Sequence, residues 1–393
     1  MATLRRKKAE PFSVFQRDPG PWPPILLNWM ATLAIIMVFG LVMLFSASYT
    51  TGYLRFGDSF HYIKSQLLCT VLGLGMMFLF SYFDHRFLRR MVKLGYVVCL
   101  ILLVLVLFSS PINGCRRWIS FGGLTLQASE VAKFEMILLT ADIAARTPQV
   151  RFSELPLRKW VHHSIVVELI RPILWLMPVL ILLVLEPHMS GTILILAGAA
   201  AVLFAAGIKL YWFAGGGAAL MGLVVLMMSG YQSTRILVWQ DPWAYPRDGG
   251  YQIIQSLYAI GSGGLLGLGL GKSRQKFLYL PEPENDFIFA IVCEELGLIG
   301  AGIVLILFAL LVMRGYWIAI HARDRFGALL VVGITTLTAV QVFLNISVVT
   351  NLIPTTGISL PFFSYGGTAL MIQLAEMGII LSVSRQIPAP RQE

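Results

Sequence analysis

Asp286 closes a stretch, from Gly261 onward, that gathers three kinds of reactive or binding group. Glycines at 261, 263, 264, 267, 269 and 271 offer backbone amides. Lys272, Arg274 and Lys276 follow as cations. Pro281 and Pro283 force a turn, and Asp286-Phe287 then opens an apolar run of about 25 residues, enough to cross a bilayer. A carboxylate at the mouth of such a helix has two readings. It can cap the helix and meet its dipole. It can also serve as a general base, taking the proton of a hydroxyl as that hydroxyl attacks. Helix-end amides would lower its pKa and partial burial would raise it, so sequence leaves the balance open.

The glycines match neither common nucleotide motif. A Walker A loop needs Gly where Leu266 stands, and a dinucleotide fingerprint on Gly267 and Gly269 needs Gly where Lys272 stands. Tight helix packing is one remaining use. An amide nest for an anion is the other. The adjacent Lys272, Arg274 and Lys276 point that nest toward a phosphate or pyrophosphate at the headgroup level.

A second group of ionisable residues lies at 116–142. Glu130 and Lys133 are three apart, on one helix face, and form either a structural ion pair or part of a binding site. Glu135 and Asp142 share that helix, and charges inside a span face a bundle interior or a wet cavity. Ser129 is a candidate cap for it. Arg116, Arg117 and Trp118 suit a membrane interface; Arg117 alternatively faces a substrate phosphate. One of Glu294 and Glu295 is expected to pair with a cation such as Lys133. Gln341 and Asn345, one turn apart, can hydrogen-bond within the bundle. His162-His163 reads as a solvated loop, and Cys69, Cys99, Cys115 and Cys293 show no metal or redox spacing.

These residues need a scaffold, and composition defines it. Of 393 residues 57% are hydrophobic and only 13% charged, which excludes an ordinary soluble domain. About ten candidate transmembrane helices follow, at 25–49, 61–83, 88–110, 129–147, 171–186, 190–206, 210–229, 287–313, 327–351 and 362–384. The fold class is an all-α polytopic membrane protein with a large extracytoplasmic loop, 230–286, between helices 7 and 8. That loop, rich in Trp and Tyr, reads as a folded cap with one or two helices. Basic residues gather in alternate loops, such as Arg5-Arg6-Lys7-Lys8 and Arg86/Arg89/Arg90/Lys93, which places both termini in the cytoplasm. The net charge of +10 is then a topology signal and an attraction to anionic membrane lipid; no nucleic acid is expected. The chain divides into a cytoplasmic tail 1–24, an integral membrane domain 25–386 and a short cytoplasmic tail 387–393.

Four long motifs, RWISFGGLTLQASEVAKF, GYQIIQSLYAIGSGGLLGLGLGKSRQKF, YLPEPENDFIFAIVCEELGLIG and NLIPTTGISLPFFSYGG, resemble those of the SEDS family (shape, elongation, division and sporulation). The resemblance spans about residues 25–386 and is nearer the FtsW/SpoVE branch than RodA. It implies a peptidoglycan glycosyltransferase that polymerises lipid II on the outer face of the bacterial cytoplasmic membrane, at the division septum or in sporulation. It puts the catalytic aspartate at Asp286 and cavity residues at Glu130, Lys133 and the Arg117-Trp118 pair. Within its motifs Gln255, Ser256, Glu294 and Ser364 join the substrate-binding candidates. The implied partners are lipid II, undecaprenyl-pyrophosphate-linked glycan, a class B penicillin-binding protein and divisome or sporulation proteins. No cofactor is implied except a divalent cation, Mg or Mn, as an aid to the leaving group. Two departures stand out. Glu284-Asn285 replaces His-Thr before the aspartate, and Pro187-His188 replaces a Pro-Asp. A lipid II flippase and a scaffold that activates a transpeptidase are the competing functions.

Overall fold

A computed structural model describes residues 24–110, 116–121, 124–147, 156, 163–186, 188–216, 231–247 and 249–387. The N-terminal tail, most of the 148–162 loop with His162, the second half of the expected seventh span and the final residues lie outside that set. Helices dominate: α1 (Pro24–Phe56), α2 (His61–Tyr82), α3 (His85–Leu107), α4 (Ala128–Arg146), α5 (Arg171–Leu185, entered through a π-helical segment His163–Ile170) and α6 (Met189–Ala205). Then come α7 (Tyr231–Gln240), α8 (Gly250–Gly263), α9 (Ile288–His321), α10 (Arg325–Val349) and α11 (Gly367–Ser384). Among the described residues 7 helices are long and apolar enough to cross a membrane, with Met189–Ala205 as a shorter apolar helix. The protein is thus a multi-pass membrane protein. Helix α4 carries Glu130, Lys133, Glu135 and Asp142, and the bundle shields all four.

Between helices there is little hydrophobic drive in lipid, so close backbone approach and polar contacts hold the bundle. The α2–α11 seam shows this: a methyl at Gly378 would overlap the Met77 carbonyl, and one at Gly73 would lie 2.7 Å from Leu374. At the bundle end away from the cap, Asp142 takes both Arg89 and Arg146 at 2.7 Å. There too, His85 Nε2 lies 2.6 Å from Asp324, the residue that caps α10.

The stretch expected to be a plain loop at 111–128 contains a two-stranded hairpin, β1 (Trp118–Phe121) against β2 (Leu124–Gln127), with Trp118 opposite Gln127. Strand β2 runs directly into α4. The N-cap there is Gln127, so Ser129 sits inside the helix and does not cap it.

The cap, 231–287, contains α7 and α8. Helix α8 runs beside the start of α9 so closely that a methyl at Gly263 would overlap the Cys293 carbonyl. Gly297 breaks α9, with φ 67° and ψ −165°, a backbone that glycine reaches without steric cost. The break frees amides, and the Gly-rich loop takes them. Leu298 N donates to Gly264 O (2.9 Å) and Ile299 N to Leu265 O (3.2 Å); in return Leu268 N and Gly269 N donate to Glu294 O and Glu295 O, both at 2.9 Å. Irregular backbone at a membrane face needs this internal satisfaction. Helix α9 has 34 residues, about 51 Å at 1.5 Å each, against a hydrocarbon core of about 30 Å. The piece after Gly297 alone suffices to span, and the roughly two and a half turns before the break pack against α8 and the Gly-rich loop.

Candidate active site

Under the cap lies a cavity of about 460 Å³. The β1–β2 hairpin and the start of α4 form one wall. The turn before α9 and the loop 351–366 form another, and residues of α2, α6 and α11 add to the lining. The cavity brings together Arg117, Glu130, Lys133, Asp286 and Ser364 from the sequence candidates. These come from three separate segments, and folding alone makes them neighbours.

On α4, Lys133 Nζ lies 2.8 Å from Glu130 Oε2, with both side chains under a tenth exposed. Their spacing on one face of the helix makes the pair. Its position in the cavity wall keeps both groups available to a ligand.

Asp286 is not a helix cap: Phe287 occupies the N-cap position of α9 without a side-chain bond. Its carboxylate instead faces the cavity. Burial pushes its pKa up to about 6; Glu282 adds to the rise and Arg117 opposes it. Desolvation disfavours the charged form and the guanidinium restores part of that loss. A carboxylate poised near neutral pH is a competent general base. Behind it, Gly357 lies close enough that a methyl there would sit 3.3 Å from Asp286 Oδ2, and its φ of +68° is a left-handed value. Both conditions call for glycine.

His188, which the sequence showed only as a departure, also lines the cavity. It is buried, and burial together with Arg117 and Lys133 lowers its pKa to about 3. Burial and the two nearby cations thus favour the neutral imidazole. Its Nδ1 has no hydrogen-bond partner. Gln341 and Gln373 line the cavity as well; isolated amides in apolar helices gave no pattern from which to assign them to a site. Their polarity inside a span was the only available signal.

The remaining candidates lie elsewhere. Lys276 is 1% exposed and does not line the cavity. Its Nζ donates to Glu295 Oε1 (3.0 Å), Gly271 O (2.7 Å) and Ser46 Oγ (3.3 Å). Thus the cation partner of Glu295 is Lys276, while Lys133 pairs with Glu130. Glu295 also accepts from Gly271 N (3.0 Å), Ser273 N (3.2 Å) and Ser46 Oγ (2.7 Å). Glu294 accepts from Arg274 N (2.9 Å) and from the Ser273 hydroxyl. The loop amides at 271–274 do cradle anions, as a nest would, but those anions are the protein's own carboxylates. The side chains of Lys272 and Arg274 are exposed at the turn beyond, outside the cavity lining. Ser256 is buried and donates to Val349 O at 2.8 Å, and Gln255, its neighbour on α8, is likewise absent from the lining; Gln252, one turn earlier, reaches it.

The cavity's carboxylates are Glu130, Glu282 and Asp286. Among the described residues no three His, Cys, Asp or Glu side chains are placed together to hold a metal ion.

Fold and site define a class: a multi-pass helical membrane protein whose polar cavity sits under a folded cap, with a poised aspartate in its wall. The comparisons narrow it. The FtsW/RodA/SpoVE profile, described as "Cell cycle protein", matches residues 26–388, and the chain belongs to that family. Over 372 residues it is 41% identical to stage V sporulation protein E of Bacillus subtilis, covering 92% of this chain and 97% of that one. It is 37% identical over 363 residues to a probable peptidoglycan glycosyltransferase FtsW of Geobacter metallireducens, covering 89% and 92%. Among solved structures, a chain of a peptidoglycan synthase complex aligns with TM-score 0.72 at 28% identity, over 93% of this chain and 98% of that one. The rod shape determining protein RodA of Thermus thermophilus aligns with TM-score 0.66 at 28% identity, over 94% and 98%.

Proposed function

We infer that this protein is a peptidoglycan glycosyltransferase that polymerises lipid II, with Asp286 as its general base. One observation carries the reading: a half-buried aspartate facing the cavity, with its pKa raised to about 6, shares that cavity with Lys133 and Arg117. The relatives named probable peptidoglycan glycosyltransferase FtsW point the same way.

The chemistry follows from the groups present. Asp286 takes the proton of the GlcNAc 4-hydroxyl of lipid II. The oxygen attacks the anomeric carbon of the MurNAc at the end of the growing strand. The bond from that carbon to pyrophosphate breaks, and undecaprenyl pyrophosphate leaves with the electron pair. Attack opposite the leaving group inverts the anomeric centre. Lys133 and Arg117 face the negative charge that develops, and fixed cations in a water-poor site need little reorganisation to stabilise it.

A flippase would need a wet route to the far end of the bundle. On α4 the cavity lining reaches no further than Lys133, and on α11 no further than Gln373. Below it on α4, Asp142 is held between Arg89 and Arg146. That arrangement favours the enzyme. The distribution of basic residues puts the cap outside and both termini in the cytoplasm, the orientation in which the cavity meets lipid II in the outer leaflet. A class B penicillin-binding protein is the proposed partner, with septal or sporulation machinery around it, because one solved neighbour belongs to a peptidoglycan synthase complex. Lys272 and Arg274, exposed on the cap, are proposed to meet lipid phosphates.

The test is purified protein with labelled lipid II, with and without the cognate transpeptidase, read as glycan chains on a gel. Polymer supports the reading. No polymer in either arm, with lipid II crossing reconstituted vesicles, would return the flippase to first place.

A further inference from the structure

Three successive carbonyls of the turn that carries Asp286 are held from the facing side. Tyr365 N donates to Glu284 O at 2.8 Å. Ser364 Oγ donates to Asn285 O at 2.6 Å, and Asn345 Nδ2 donates to Asp286 O at 2.8 Å. Asn345 is fully buried on α10. It uses its second N–H as well, donating to Ile358 O at 2.7 Å. One carboxamide therefore joins the Asp286 turn to the loop 351–366. Ser364 makes a parallel tie, since its oxygen also accepts from Leu360 N at 2.8 Å.

The residue type fits the task. A carboxamide offers two N–H donors from one nitrogen, in a fixed plane, and two carbonyls receive them. Asp at this position would present acceptors to acceptors. Ser could serve only one carbonyl at a time. Buried carbonyls that lose a donor are costly, so the turn would shift to recover one. A general base must stand at hydrogen-bond distance from the proton it removes, and a misplacement of about 1 Å costs about 10²-fold in rate.

We propose that Asn345 is a positioning residue for glycosyl transfer, fixing the Asp286 turn against loop 351–366 so that the carboxylate stands at one place in the cavity wall. The proposal rests on the reading of Asp286 as the base. Asn345 does not line the cavity and touches no substrate; it acts through the backbone of Asp286.

The experiment is steady-state polymerisation of labelled lipid II by the full chain with its transpeptidase, for wild type, Asn345→Ala, Asn345→Asp, Asp286→Asn and Thr338→Val. Thr338 is a buried control two turns along α10, bonded only to Ile334 O of its own helix at 3.1 Å. Asn345→Ala should lower kcat about 10- to 100-fold with KM changed less than about twofold, and Asn345→Asp should do no better. Thr338→Val should keep kcat within about twofold. A second readout separates positioning from general damage. Loosening the turn admits water to Asp286, so the acid limb of the pH–rate profile should move below pH 6, toward an ordinary carboxylate. A lesion that merely reduces the folded fraction scales the profile without moving it. Should Asn345→Ala fail to fold, Ser364→Ala removes one tie to the same turn and should move the limb the same way.

Wild-type kcat and an unmoved limb in a folded Asn345→Ala would overturn the proposal, as would a raised KM at unchanged kcat. Those outcomes, combined with an inactive Asp286→Asn, would leave the base assignment standing. Full activity in Asp286→Asn, or no polymer from wild type, would instead remove the reading on which the proposal rests.

Discussion

Asp286→Asn should make the protein more stable while it disables the chemistry, and the gain should depend on pH in a definite way. The Asp286 carboxyl titrates near 6 in the folded protein against a usual value of 3.8. Between those values the native state keeps a proton that the unfolded chain has already released. Stability is therefore highest below pH 4, falls as pH rises from about 4 to about 6, and stays lower above that. A gap of roughly two units at about 1.36 kcal/mol each gives an upper bound near 3 kcal/mol at neutral pH. The carboxylate faces the cavity, where water screens it, so about 1–3 kcal/mol is the expected range. Asn carries no charge and removes that cost. Thermal unfolding of the detergent-solubilised protein at pH 4, 6 and 8 measures it. The variant should melt higher than wild type at pH 8, by about a few degrees. The difference should shrink to nothing near pH 4. A variant that melts lower at pH 8, or a gap that ignores pH, would refute the claim that a desolvated carboxylate stands there.

Other outcomes follow from the polar contacts. Lys276→Met leaves Glu295 buried without its cation, and breaking such a pair costs about 3–5 kcal/mol; thermal melting should fall strongly, and the cap loop should become protease-sensitive. Lys133→Met should cut polymerisation with a smaller loss of melting temperature, because Glu130 lines a cavity that water can enter, whereas Glu295 is 0% exposed; equal losses in the two variants would remove that distinction. A cysteine at the exposed position of Arg247 should react with an impermeant thiol reagent in intact cells, and reaction only after permeabilisation would invert the proposed orientation.

The membrane class and the helices were legible because twenty-residue apolar runs leave few alternatives. The expected spans 61–83 and 190–206 match α2 and α6 within a residue. The last span begins at Gly367, five residues later than expected, because Pro361 and the left-handed backbone of Phe362 (φ 64°) hold the preceding segment in a turn. The hairpin at 118–127 was not legible, since four-residue strands interrupted by Gly122-Gly123 carry too little periodicity. Asp286, Glu130 and Lys133 were legible as site candidates because charge is costly at membrane depth and so draws attention. Lys276 entered that list as one of three cations beside the glycines and Glu294 through the resemblance, yet both serve the cap itself: the loop amides at 271–274 and Lys276 meet Glu294 and Glu295. Such pairing spans nineteen residues with no repeat to announce it. Asn345 was legible as an amide that hydrogen-bonds within the bundle, as it does, but its partners were not, and His188 showed only as a departure, since such roles depend on which backbone or cavity wall a residue meets.

The most direct measurement is the pH–rate profile of lipid II polymerisation by wild type beside the rate of Asp286→Asn at pH 8. With Asp286 as general base, wild-type activity should rise through an acid limb near pH 6, and the variant should lose about 10²–10⁴ in rate while still binding lipid II through Lys133 and Arg117. A variant that polymerises at the wild-type rate, or a wild-type profile with no limb near that pH, would contradict the assignment.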